Sequence, residues 1–287
     1  MHHFPFHAPR DWRELLSLRE TEGSQVIAGG TDLLPLMRSR QVKPRLVIDL
    51  QWVPNLRFIR SEAGLMEIGS MTTHAELARS VLCANYAPLL ADAARCVGSP
   101  QIRTRGTIGG NIATASPAGD TLPPLLVLGA ELVLVSKRGE RRVSLEEALL
   151  GPGHSVVGAD EVVSSIVFPC LPSGTGSAFL KVGRRRAVAV SVASIALSLR
   201  MKDGVVREIR IAAGAVAPTP IRCRAAENEL KGSRLDDDSL RRAGEALQGE
   251  IDPISDGRGT ASCRRLTAEV LLKRAVKQAA GHHNAPE

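Results

Sequence analysis

Aromatic side chains are scarce: Phe, Trp and Tyr make up 3% of the 287 residues, with one Tyr (Tyr86) and two Trp (Trp12, Trp52). Base-stacking platforms are therefore excluded, and the core must be built from Val, Leu, Ile and Ala. The five cysteines (Cys83, Cys96, Cys170, Cys223, Cys263) are scattered, with no CxxC pair. This odd, dispersed set excludes a disulfide framework and any familiar iron–sulfur spacing within the chain. No run approaches the ~18 apolar residues of a membrane span. The start, Met1-His2-His3-Phe4-Pro5-Phe6-His7, lacks the charged and apolar regions of a secretory signal. Cytoplasmic residence without a membrane span is the expectation. His74 and His154 are the internal histidines, and neither has a partner spaced as in a nucleophile–base pair. The pairs His2-His3 and His282-His283 read as chain ends rather than metal ligands. A Walker A loop and a GxGxxG turn followed by a matching acidic residue are also missing.

What remains is an ordinary globular composition, 44% apolar and 23% charged, long enough for two domains. The net charge of +7 comes from 37 basic residues dispersed among 30 acidic ones. The densest basic cluster, Arg184-Arg185-Arg186, has no interleaved aromatics, so it reads as a solvated face, a diphosphate contact or a subunit contact rather than a nucleic-acid site.

Hydrophobic periodicity predicts a small α/β unit at the start. A strand Ser24–Ala28 enters a glycine turn, a helix runs through Leu33–Arg38, and a second strand covers Arg45–Leu50. A hairpin turns at Glu62-Ala63-Gly64. Thr73 with Glu76 has the spacing of a capping box, and helices are expected over about 86–96 and 121–128. A second hairpin surrounds residues 137–140, Ser144 with Glu147 opens a short helix, and a strand covers Glu161–Phe168. The Pro and Gly residues of 169–174 mark a domain boundary. Beyond them, Asp203-Gly204 predicts a hairpin between Ser191–Met201 and Val205–Ala212. Helical patterns follow over about 221–231, 239–249 and 261–280.

Two glycine-rich segments about 80 residues apart carry the chemistry: Ala28-Gly29-Gly30-Thr31-Asp32-Leu33 and Gly106-Thr107-Ile108-Gly109-Gly110-Asn111. Paired glycines let a ligand approach consecutive backbone N–H donors and tolerate positive φ, which suits loops gripping a diphosphate from two sides. The second segment runs on through Thr114 to Asp120, offering hydroxyl, amide and carboxylate groups for a polyol or ribose. Asp32 and Asp120 each also read as plain helix N-caps. With a binding site and no acid–base apparatus, the chain looks like a subunit whose cofactor performs the chemistry.

Both segments resemble the flavin motifs of the FAD-binding medium subunit of molybdenum hydroxylases, the family of xanthine dehydrogenase, aerobic carbon monoxide dehydrogenase and related N-heterocycle dehydrogenases. The second resemblance extends from Pro100-Gln101-Ile102-Arg103 through Thr114-Ala115-Ser116-Pro117. In the C-terminal part, Ala217-Pro218-Thr219-Pro220-Ile221-Arg222 resembles the xanthine dehydrogenase branch. Ser255-Asp256-Gly257-Arg258-Gly259 and Leu271–Val276 resemble the carbon monoxide dehydrogenase branch.

The resemblance implies an α+β fold with a vanillyl-alcohol-oxidase (PCMH)-type FAD-binding domain over 1–172, in two α/β subdomains of about 1–55 and 56–172. A C-terminal domain of antiparallel sheet and helices would cover 173–287. By motif, Ala28, Gly29, Gly30, Thr31 and Asp32 would bind the diphosphate of noncovalent FAD through backbone N–H groups. Thr107, Gly110, Asn111, Thr114 and Asp120 would hold the diphosphate, ribityl chain and neighbouring flavin. Val162 and Val163 would lie near the adenine, and Lys181 near the flavin.

The resemblance further implies an oxidoreductase subunit with a large molybdenum-cofactor partner and a small [2Fe–2S] partner in a dimer of heterotrimers. Electrons would pass to NAD+ or another acceptor, and the purine branch is preferred for substrate. The alternatives are the medium subunit of a carbon monoxide dehydrogenase or N-heterocycle dehydrogenase, or a stand-alone flavin-dependent NAD(P)H oxidoreductase. The family's acidic or aromatic residue after the basic pair is replaced here by Arg186-Ala187-Val188-Ala189-Val190. The cysteine-bearing insertion of hydroxybenzoyl-CoA reductase is absent, so no iron–sulfur cluster is expected in this chain.

Overall fold

A computed structural model describes residues 4–184 and 190–283. His2, His3 and the Arg185–Ala189 part of the basic cluster lie outside these residues. Strands Phe6–His7, Leu46–Asp49 and Ser24–Ile27 form a parallel three-stranded sheet in that spatial order. The helix Trp12–Arg19 packs on it, capped by Asp11, which accepts from Glu14 N at 2.8 Å.

A five-stranded antiparallel sheet follows, in the order Ile59–Glu62, Leu65–Gly69, Val162–Pro169, Glu131–Ser136, Gly139–Ser144. Its central strand serves two cores. Val162 packs with Leu15, Ile48 and Leu56 beneath the first sheet. Val163, Ile166 and Phe168 face the helices of the second unit. A bulge between Val163 and Ser165 lets the odd and even positions share that face. Buried Arg19 joins the two units, donating to Ser24 O at 3.2 Å and Glu161 O at 3.2 Å.

The C-terminal sheet is antiparallel, in the order Gly176–Gly183, Ser191–Lys202, Val205–Gly214, Ile221–Arg222. Residues Ser191 to Leu199 are buried without interruption because both faces are covered. Ile195, Leu197, Ile211 and Ala213 face the helices Arg224–Leu230, Asp237–Glu250 and Ala261–His283. Phe179, Ala196 and Ala212 point the other way, into the core containing Leu89, Leu125 and Leu126. Alternate residues of one strand thus weld the C-terminal sheet to the preceding unit. Among the described residues, no helix is long and apolar enough to cross a membrane.

Several local expectations change in detail. The expected helix over about 86–96 is observed as Pro88–Cys96, with Pro88 in its first turn, and a separate helix, Val81–Tyr86, precedes it. The pattern over 221–231 begins as the strand Ile221–Arg222, and its helix starts at Arg224. Glu227 accepts from the Arg222 guanidinium (2.8 Å) and Ile211 N (2.7 Å), which holds that start against the sheet. The capping box of Thr73 and Glu76 forms as expected.

Candidate functional site

The two glycine segments meet. A Cβ built on Gly29 would lie 1.9 Å from Arg105 O and 2.9 Å from Gly106 N, so only glycine allows this contact between the backbones. Thr31 Oγ1 stands 3.5 Å from the Cβ position of Gly106, and Ala28 Cβ stands 4.0 Å from that of Gly110. The junction therefore joins the first α/β unit to the second through Ala28–Thr31 on one side and Arg105–Gly110 on the other.

The segments use their backbones differently. Gly30 takes a left-handed φ of +72°, which turns the first segment tightly. Among the described residues, the N–H groups of Gly29, Gly30, Thr31 and Asp32 have no acceptor. Consecutive backbone donors of this kind form an anion-binding concavity. Asp32 does not cap the following helix Leu33–Arg38; its Oδ2 instead accepts from Thr31 Oγ1 at 3.3 Å. The expected N-cap at Asp32 is thus corrected.

The second segment is not a loop. Ile108–Thr114 is a helix with Gly109 and Gly110 in its first turn. Its donors are committed internally: Ile108 N to Thr72 O (3.0 Å), Gly109 N to Ser70 O (2.9 Å) and Gly110 N to the N-capping Thr107 Oγ1 (3.1 Å). Gly109 is needed for close packing, since its Cβ would meet Ser70 Cβ at 2.5 Å. Gly110 is less enclosed than Gly109: a built Cβ would lie 3.0 Å from Thr107 Oγ1 and 4.0 Å from Ala28 Cβ. Sequence reading took both doublets as donor loops because a glycine pair carries no record of the tertiary acceptor behind it.

The remaining predicted residues fall into three groups. Asn111 donates through Nδ2 to Thr121 Oγ1 at 2.8 Å, and half-buried Thr114 ends the same helix. Asp120 is not an N-cap either; Thr121 holds that position, without a side-chain cap bond. Instead, buried Asp120 accepts from Lys181 Nζ at 2.6 Å and Ser191 Oγ at 2.6 Å, both from the C-terminal sheet. Lys181 Nζ also donates to Cys96 O at 2.8 Å. Burial pushes the Asp120 carboxyl up, while the Lys181 charge and hydrogen bonds from Lys181 and Ser191 pull it back. Val162 and Val163 place their side chains in two cores, so a ligand would meet them through their main chain.

His74, one of the two internal histidines, lies at this junction. Its N–H donates to Gly106 O at 3.0 Å, and its ring lies against Gly106. Burial, reinforced by the Arg103 charge, lowers its pKa to about 4, so the ring is neutral. Ser70 Oγ and His74 Nδ1, both buried behind the second segment, have no hydrogen-bond partner among the described residues. Neither was legible as part of the junction, because each depends on a contact more than 30 residues away. A cleft of about 520 Å³, lined by Arg57, Phe58, Thr72, Thr73, Glu76 and Thr104, borders the second segment through Thr73. It does not include the acceptor-less turn.

A turn of open amides at the junction of two α/β units, backed by a docked sheet, is a geometry suited to a phosphate-bearing cofactor. Residues 2–171 match the family model for the FAD binding domain in molybdopterin dehydrogenase, and 178–279 match the CO dehydrogenase flavoprotein C-terminal domain. The chain is 34% identical to the carbon monoxide dehydrogenase medium chain of Hydrogenophaga pseudoflava, over 96% of each chain. It is 34% identical to the nicotine 6-hydroxylase medium subunit of Paenarthrobacter nicotinovorans, covering 91% of this chain and 92% of that one. It is 31% identical to a xanthine dehydrogenase FAD-binding subunit of Escherichia coli O157:H7, covering 91% and 90%. The solved carbon monoxide dehydrogenase of H. pseudoflava superposes with a TM-score of 0.95 over 98% of both chains.

The chain belongs to the family of FAD-binding subunits of molybdopterin dehydrogenases, which are oxidoreductases. The expected α+β architecture, a PCMH-type FAD-binding domain followed by a C-terminal sheet-and-helix domain, is the one observed.

Proposed function

We propose that this chain is the electron-transfer subunit of a multi-subunit molybdenum hydroxylase. It takes electrons from [2Fe–2S] clusters in a small partner and delivers them to NAD+ or another acceptor. Substrate oxidation belongs to the molybdenum cofactor of a large partner, and the assembly is a dimer of heterotrimers. The observation that carries this reading is the row of acceptor-less amides from Gly29 to Asp32, facing the glycine-bearing helix of the second unit.

The donor set fits FAD: backbone N–H groups and the +72° turn at Gly30 suit a diphosphate. With no side chain, Gly110 keeps the gap beside Ala28 unfilled, the Cβ of Ala28 lying 4.0 Å from the Cβ position of Gly110. Bound FAD supplies a carrier that exchanges electrons singly or in pairs. Ala28–Asp32 hold the diphosphate; Thr107, Gly110, Asn111 and Thr114 border it and the ribityl chain. Asp120 and Lys181 back the flavin region as a neutralised pair, and the main chain at Val162 and Val163 lines the adenine end. No side chain acts as a catalytic base, and nothing in the motifs provides a covalent attachment.

Substrate identity resides in the large partner, since the named relatives serve carbon monoxide, nicotine and xanthine enzymes. A xanthine-like purine is the first substrate to screen, on the resemblance at Ala217–Arg222. Carbon monoxide and N-heterocycles follow.

The test is to purify the native complex and assay flavin, molybdenum and iron. Near-stoichiometric FAD released on denaturation, with both partners present, supports the reading. A colourless assembled complex that takes up no added FAD contradicts it. The Gly110→Trp complex should assemble without flavin; retained flavin would contradict the assigned position.

A further inference from the structure

The turn 255–260 is knitted around one carboxylate. Asp256 Oδ1 accepts from Arg258 N (2.8 Å) and Arg264 Nη2 (2.7 Å), and its Oδ2 accepts from Arg258 Nε (2.9 Å). Backbone hydrogen bonds between Asp256 and Gly259 close the turn. Arg264, near the start of the last helix, is 2% exposed, and Asp256 is its one carboxylate partner among the described residues. A buried guanidinium carries a desolvation cost of several kcal/mol, and well-packed apolar residues often match such pairs in stability. Stability alone is therefore a weak reason for placing it there.

What Arg264 holds supplies the reason. Its Nη1 donates to Val192 O at 2.7 Å and Ala215 O at 2.9 Å. Val192 follows Ser191, whose hydroxyl donates to Asp120, and Ala215 N donates to Pro117 O at 2.8 Å. One guanidinium thus fixes two of the three C-terminal segments that receive the stretch from Pro117 to Asp120, the third being the strand of Lys181. That stretch leads directly from the second glycine segment. The same turn also holds the chain just beyond Lys181, because Arg184 Nη1 donates to Gly257 O at 2.7 Å.

We propose that Asp256 and Arg264 are positioning residues for the FAD site, setting the spacing of Lys181 and Ser191 that seats Asp120 and the second glycine segment. The inference rests on the FAD reading above and adds a control point in the C-terminal domain. Loosening the turn releases Val192 and Ala215 together, and with them the Ser191 and Ala215 contacts to the segment bordering the cofactor.

The experiment uses the assembled complex with Asp256→Asn, Arg264→Lys and, as a control, Leu247→Ala. Leu247 is fully buried in the C-terminal core, and its side chain takes no part in the hydrogen bonds of this network. FAD dissociation constant, flavin midpoint potential and melting temperature are read for each. Asp256→Asn should weaken FAD binding roughly tenfold and shift the potential. Arg264→Lys, which keeps the charge but loses the fork of donors, should do the same to a smaller extent. Leu247→Ala should lower the melting temperature while leaving affinity and potential at wild-type values.

Wild-type affinity and potential in both Asp256→Asn and Arg264→Lys would overturn the inference. So would a Leu247→Ala complex that moves them equally. If Asp256→Asn does not assemble, Arg264→Lys against Leu247→Ala decides the matter. A wild-type complex lacking FAD overturns the FAD reading itself, which separates that failure from failure of the positioning role.

Discussion

The two glycine doublets look alike in sequence and do opposite things. Among the described residues, Gly29-Gly30 leaves four successive amides without acceptors, whereas Gly109-Gly110 opens a helix whose first amides already bond to Thr72, Ser70 and Thr107. The first segment keeps its amides open, as a receptor for charge would require, and the second is a spacer that allows close packing. Glycine serves donor exposure in one and the removal of a side chain in the other. The motif that resembles a phosphate loop therefore need not donate to phosphate.

The largest expected effect separates these uses at single glycines. Gly29→Ala would force a Cβ to within 1.9 Å of Arg105 O. It should cost about 3 kcal/mol or more in urea unfolding and part the two segments. Gly110→Ala, with Thr107 Oγ1 at 3.0 Å as its nearest neighbour, should change stability by less than about 1 kcal/mol while weakening FAD binding. Equal destabilisation by both would erase the distinction.

A pH series addresses the support behind the second segment. The His74 pKa falls from 6.5 unfolded to about 4 folded, so the unfolded chain binds the extra proton between those values. Its contribution is complete above about pH 6.5 and is lost as pH falls towards 4. The expected loss is about 2–3 kcal/mol. His74→Gln should flatten that part of the stability profile; parallel wild-type and variant profiles would refute the assignment.

Smaller effects follow. Thr107→Ala removes the acceptor of Gly110 N and should cost about 1 kcal/mol in thermal unfolding. Asp32→Asn alters a residue that makes no cap, and should stay within about 0.5 kcal/mol of wild type. A loss comparable to that of Thr107→Ala would mean that Asp32 serves its helix after all.

Legibility followed the range of the interactions. Asp203-Gly204 announced its hairpin, and Thr73 with Glu76 announced its capping box, because each signal lies within four residues. The FAD-type architecture was readable from the paired glycine motifs and Asn111. Asp120 was not readable as an interdomain ion pair, since Lys181 and Ser191 lie 61 and 71 residues away. The helix Ile108–Thr114 was hidden by the poor helix propensity of its two glycines, which contacts with Ser70 and Thr72 override. The network of Asp256 and Arg264 was equally hidden, because a motif does not record which distant carbonyls its arginine will hold.

Hydrogen–deuterium exchange of the complex with and without FAD, read at single-amide resolution, tests the contrast most directly. The expected result is strong FAD-dependent protection at Gly29–Asp32, with little change at Ile108–Asn111, whose amides are already bonded. Protection confined to Ile108–Asn111, with Gly29–Asp32 unchanged, would contradict it.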